Sequence, residues 1–276
     1  MEYAECFWSL AGVRGLGAKN FMRGTPFLDA TWNADREAMA SMLRTFKSEL
    51  ETKGLSPDDT PLNDSDSFGH TPIIAAVYRG HVDTVKWLLS AEVMCNAGAK
   101  NVDGWTALHI AVHRKSTAAF VELLRAHERY GELSKLDVNA MNKGCWTPLH
   151  FASYLGQIDM VETLLNFGAT VDSLNSTTQT PLVLACERDH SDVARSLARL
   201  GANVFKVSSS GLTPVEFATK HGWSDELQSA ARVPEAPPGA PWTSRVKSRS
   251  MRVVWSRAEV MWSADVDGYR LDQALL

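Results

Sequence analysis

One short phrase recurs along the chain at nearly constant intervals. It reads Trp146-Thr147-Pro148-Leu149-His150-Phe151-Ala152 in its fullest form. A Thr with Ala five residues later returns as Thr25/Ala30, Thr71/Ala76, Thr106/Ala111, Thr180/Ala185 and Thr213/Ala218. Twelve residues beyond the Ala an apolar pair follows: Leu88-Leu89, Leu123-Leu124 and Leu164-Leu165, with Met42-Leu43 and Leu197-Ala198 as weaker forms. The steps between Thr positions 25, 71, 106, 147, 180 and 213 are 46, 35, 41, 33 and 33. Units this short cannot bury their apolar residues alone. Neighbours must stack, and the core becomes a strip shared between adjacent units.

The local chemistry of each unit predicts two helices. Thr is suited to the position before a helix, where its hydroxyl can accept an orphan backbone N–H, and Pro suits the first helical position, where its missing N–H costs nothing. Gly80, Gly168 and Gly201 suit helix C-terminal turns. Met39, Met42, Leu43 and Phe46 follow helical i, i+3, i+4, i+7 spacing. The stretch of about 49–65 holds Pro57, Asp58, Asp59, Asn63 and Asp64 and reads as a polar loop. Thr60-Pro61-Leu62 inside it lacks the Ala and is not a further copy.

The period of about 33 residues and the Thr-Pro-Leu-His phrase resemble the ankyrin-repeat family over residues 24–231. The resemblance implies an all-α solenoid of about six helix-turn-helix repeats with hairpin-like loops. Those repeats would span about 24–48, 66–98, 101–140, 142–174, 175–207 and 208–231. Residues 1–23 then form an N-terminal flank, 232–241 a Pro-rich linker and 242–276 a C-terminal tail rich in Trp and Arg. Within the tail, Val253-Val254-Trp255 reads as strand.

No catalytic signature is present: no phosphate loop, no H-E-x-x-H and no G-x-S-x-G. No Cys/His group has metal-ligand spacing, so no cofactor or metal is expected. The net charge of −4 argues against non-specific polyanion binding by the whole chain, leaving only residues 245–257, with five basic residues and Trp255, for nucleic acid. Cys6, Cys95, Cys145 and Cys186 form no C-x-x-C pair, and Glu2 and Glu5 stand where a secretory signal needs basic residues. These features predict an intracellular protein, of cytoplasm or nucleus, monomeric alone, with organelle import left open.

The phased positions make the fold, so function should lie in the unphased ones. By the family resemblance, the residues one, three and four before each Thr, and seven and eight after it, line a concave face. In the middle repeats this gives Phe68, His70, Tyr78, Arg79, Trp105, His113, Arg114, Trp146, Tyr154 and Leu155 as candidate protein-binding residues. Trp, Tyr and Arg are the residue types that dominate binding hot spots. Trp105 and Trp146 have a second reading, as rings that stack on neighbouring hairpins and stabilise the fold. His109 and His150 are expected to bond backbone groups. The copy at Thr147 departs from the others, since Gly144 comes one residue early and Cys145 takes the turn position. The expected function is a non-enzymatic adaptor or scaffold with a protein partner. The alternatives are an accessory subunit docked through its terminal segments, and nucleic-acid binding through the basic tail.

Overall fold

The structure, a computed structural model, describes residues 25–53, 60–231, 260–265 and 268–273. The expectations for residues 1–23, the linker 232–241, the basic stretch 245–257 and the strand-like Val253-Val254-Trp255 lie outside the described residues. The chain divides into two compact units, residues 1–148 and 149–276, taken here in turn.

The first unit contains three helix pairs: α1 (Pro26–Trp32) with α2 (Arg36–Lys53), α3 (Pro72–Arg79) with α4 (Val82–Leu88), and α5 (Ala107–His113) with α6 (Thr117–Tyr130). First helices pack on first helices, α1 on α3 and α3 on α5, and α4 packs on α6. The apolar phase explains this. Phe27, Ile73, Ile74 and Leu108 on the first helices and Val85, Leu88, Phe120 and Leu123 on the second are buried. Each large aliphatic residue so buried contributes about 1.5–3 kcal/mol. α2 runs to Lys53, past the end of the expected first repeat, so part of the polar stretch is helical. The surplus residues of the third repeat extend α6 to Tyr130 and add a 3-10 turn, Gly131–Ser134. Thr60-Pro61-Leu62 opens a lone 3-10 turn, Pro61–Asn63.

The second unit contains α7 (Pro148–Tyr154) with α8 (Ile158–Asn166), α9 (Pro181–Glu187) with α10 (Ser191–Arg199), and α11 (Pro214–His221) with α12 (Ser224–Ala231). Here α9 packs on α11, α8 on α10 and α10 on α12. The fold class is the expected all-α repeat solenoid. One element in the tail is different: β1 (Val260–Asp265) and β2 (Gly268–Gln273) pair antiparallel, with Val260 opposite Gln273 and Asp265 opposite Gly268.

The Thr positions cap in two ways. Thr106, Thr180 and Thr213 accept the third helical N–H at 3.4, 3.3 and 3.3 Å. Thr71 has the extended capping backbone, yet its hydroxyl is buried with no partner among the described residues. Upstream, a second device shapes four of the hairpins. Five residues before the Thr, a side-chain oxygen accepts two backbone N–H groups of the turn, so the polar groups that a tight turn exposes are satisfied locally. Asp66 Oδ1 accepts from Phe68 and His70 N–H, both at 2.8 Å, and Asn101 Oδ1 from Asp103 and Trp105 N–H at 3.0 and 2.8 Å. Asn142 does the same for Gly144 and Trp146, and Asn175 for Thr177 and Gln179. Cys145, at φ 58, takes the left-handed position that Gly69 and Gly104 fill elsewhere, so the irregular third hairpin keeps the common turn. Adjacent hairpins of the first unit touch: Val102 N–H donates to the Phe68 carbonyl at 2.9 Å, and Lys143 N–H to the Asp103 carbonyl at 2.9 Å. The approach at Gly69 leaves no room for a side chain, because a Cβ there would lie 2.7 Å from Val102 N.

Candidate functional site

Successive first helices of the first unit end in Trp32, in the pair Tyr78-Arg79 and in His113, which Arg114 follows. Because the helices pack side by side, these ends come together. The Trp32 and Tyr78 rings stack with centroids 5.7 Å apart. The Arg79 guanidinium lies over Trp32 at 5.1 Å and that of Arg114 over Tyr78 at 4.7 Å. On the hairpin side, His70 stacks on Tyr78 at 6.3 Å and Phe68 stands against His70 at 5.8 Å. Cation–ring contacts of this kind are each worth about 0.5–2 kcal/mol, more as water is excluded.

The expected candidates do not all come together. Phe68, His70, Tyr78, Arg79 and Arg114 form one cluster, in which Phe68 is 46% exposed and both arginines are exposed. Trp105 is 6% exposed, its ring against His109 at 5.9 Å and His113 at 5.4 Å, so it supports the face from beneath. The Trp146 ring folds over its own hairpin, where a Cβ on Gly144 would meet its Cδ1 at 3.2 Å. Tyr154 and Leu155 belong to the second unit. There the Arg188 guanidinium covers Tyr154 at 4.0 Å, and Gln179 ties Glu187 at 2.9 Å. Trp32 completes the cluster and was not among the candidates. Its signal in the sequence is its place seven residues after Thr25, the same slot as Tyr78 after Thr71.

The electrostatics follow from burial and contacts. Burial pushes the Tyr78 phenol up, and the nearby Arg114 and Arg79 charges pull it partly back. Burial, and then Arg114, lower His113 below the ordinary histidine range, so it is neutral near pH 7. Burial would raise Asp66, but bonds from the His70 ring at 3.0 Å and from the turn amides outweigh it, and its carboxyl is held low. His109 and His150 are structural. His109 Nδ1 accepts from Thr106 N–H at 3.2 Å, so its Nε2–H donates to the Trp146 carbonyl at 3.0 Å. His150 Nε2 bonds the Gln179 carbonyl at 3.2 Å. Among the described residues no group of three His, Cys, Asp or Glu could hold a metal ion, and no helix is long and apolar enough to cross a membrane.

A paired-helix repeat with a stacked hairpin and a capped first helix is the ankyrin unit, and comparison with known proteins agrees. The family model described as Ankyrin repeats (3 copies) matches residues 30–133, 95–175 and 117–208. The chain belongs to the ankyrin-repeat family, whose members generally mediate protein–protein interaction. Among relatives, it is similar to human Transient receptor potential cation channel subfamily A member 1, 27% identical over 160 residues, which is 56% of this chain and 12% of that protein. It is also similar to Alpha-latrotoxin-Lg1a of Latrodectus geometricus, 30% identical over 107 residues, 39% of this chain and 7% of the toxin. The chain thus spans a small part of each relative's length.

Proposed function

We propose that the chain is a non-enzymatic protein-binding module, an adaptor or scaffold, that presents the Trp32–Tyr78 cluster of its first unit to a protein partner. The observation that carries this reading is the convergence of two aromatic rings and two exposed guanidiniums at the ends of successive first helices. Surfaces rich in Trp, Tyr and Arg concentrate binding energy. A stack whose hairpins are tied by backbone bonds is already ordered, so less conformational entropy is lost on docking. Of the other candidates in the first unit, Trp105 packs against His113, the neighbour of Arg114, and supports the cluster. The unpaired buried thiols of Cys95 and Cys186 are consistent with an intracellular setting, in cytoplasm or nucleus.

The test is a pull-down from source-cell extract with two baits, the intact chain and a Tyr78→Ala/Arg114→Ala variant with an unchanged helical spectrum. A partner held by the intact chain and lost from the variant supports the reading. A partner held equally by both baits, and released instead when residues 232–276 are deleted, overturns it.

A further inference from the structure

We infer that the partner segment seated on this cluster is an acidic, extended peptide whose carboxylates pair with Arg79 and Arg114; the inference rests on the binding reading above. Its basis is unspent positive charge. Some arginines of the chain meet acids of their own: Arg125 pairs with Glu122, and Arg195 with Asp192 and Glu226. Among the described residues, neither Arg79 nor Arg114 forms such a pair. The carboxylate nearest the cluster in the chain, Asp66, is already committed, since one oxygen serves the turn amides and the other His70.

The geometry suits a carboxylate. A guanidinium held over an aromatic ring still has N–H edges with which it can bind a carboxylate in two parallel bonds. Ring contact also removes part of the side-chain freedom that pairing would otherwise cost. His113 beside Arg114 is buried toward its neutral form, so the positive charge of the site does not rest on histidine. Trp32 and Arg114 both lie against Tyr78, and Arg79 covers Trp32, which leaves these rings poorly open for stacking a nucleic-acid base. Exposed Phe68 at the hairpin edge provides an apolar contact beside the charges. In the second unit the corresponding Arg188, over Tyr154, has Glu187 and Asp189 as its neighbours in the chain.

The experiment is selection of a displayed random peptide library on the full chain, followed by affinity measurement of the selected peptides on the intact chain and on Arg79→Gln, Arg114→Gln and Tyr78→Ala variants. Each variant is first checked by circular dichroism and thermal melting. The expected result is enrichment of Asp and Glu in the selected peptides, at least about a tenfold loss of affinity with each Arg→Gln change, and weakening as salt rises. Peptides without acid enrichment that are nonetheless weakened by Tyr78→Ala overturn the acidic chemistry and leave the binding face standing. Peptides indifferent to all three changes, or no binders at all, count against both readings. Displacement of bound peptide by single-stranded RNA or by anionic vesicles that themselves bind more tightly overturns the peptide as occupant.

Discussion

Acid should loosen the second unit through one side chain. His150 is fully buried in α7, with its Nε2 against the Gln179 carbonyl at 3.2 Å. Burial pushes its pKa from 6.5 down to about 4, although backbone bonds to Gln179 and Ser173 act in the opposite direction. Between these two values the unfolded chain binds a proton that the folded chain refuses. Stability from this group is therefore complete above pH 6.5, falls as the pH drops toward 4, and is flat below. A shift of this size is worth about 3 kcal/mol, of which about 2 kcal/mol should be lost between about pH 7 and about pH 4.5. Other groups add pH dependence of their own, including His113, which is lowered, and Asp172, which burial raises. The informative quantity is thus the difference between the native chain and His150→Gln, which does not titrate. Urea unfolding followed by circular dichroism at the two pH values gives that difference. Hydrogen exchange across residues 149–231 shows whether the loss sits in this unit, as short-range coupling in repeat proteins requires. If His150→Gln loses as much stability on acidification as the native chain, to within about 0.5 kcal/mol, the assignment to His150 is wrong.

Three further outcomes follow from specific contacts. Gly156→Ala should cost about 1–3 kcal/mol, because φ is +68° and a Cβ would lie 2.7 Å from the His190 ring, whereas Gly80→Ala, at φ +75° with open space around it, should cost about 1 kcal/mol; equal losses in thermal melts would show that the clash is absent. Asn142→Ala should cost about 1–3 kcal/mol by stranding the Gly144 and Trp146 amides, and Asn142→Asp, which keeps the acceptor, should stay close to the native chain in urea titration. In the folded protein at about pH 8, a thiol reagent read by mass spectrometry should label Cys145 and spare Cys95 and Cys186 until urea is added, since both are buried, with the Cys95 thiol pushed up to about 12 and that of Cys186 also raised.

The repeat could be read from the chain because its signals are local. Thr-Pro at a helix start, Gly at a helix end and apolar pairs at fixed spacing act within one or two turns, so among the described residues each first helix begins directly after a phased Thr. The Asp or Asn five residues before the Thr is equally visible: Asp66, Asn101, Asn142 and Asn175 recur in phase and close their turns by the same two bonds. α2 was harder. Nothing in the polar composition of residues 49–53 distinguishes a solvated last helical turn from a loop.

The amino-acid sequence by itself determined the fold class, the phase of each unit and the positions from which a binding face could be built. Tertiary structure decided what each of those positions does. Trp105 and Tyr78 come from different slots of the same pattern, yet one ring is enclosed by His109 and His113 and the other stays half-buried under Arg114, which lies 36 residues further along the chain. Which side chain is covered, and which cation is left without an acid, depends on what the neighbouring repeat places beside it. Such contacts are set by stacking between units and leave no mark in the spacing within one.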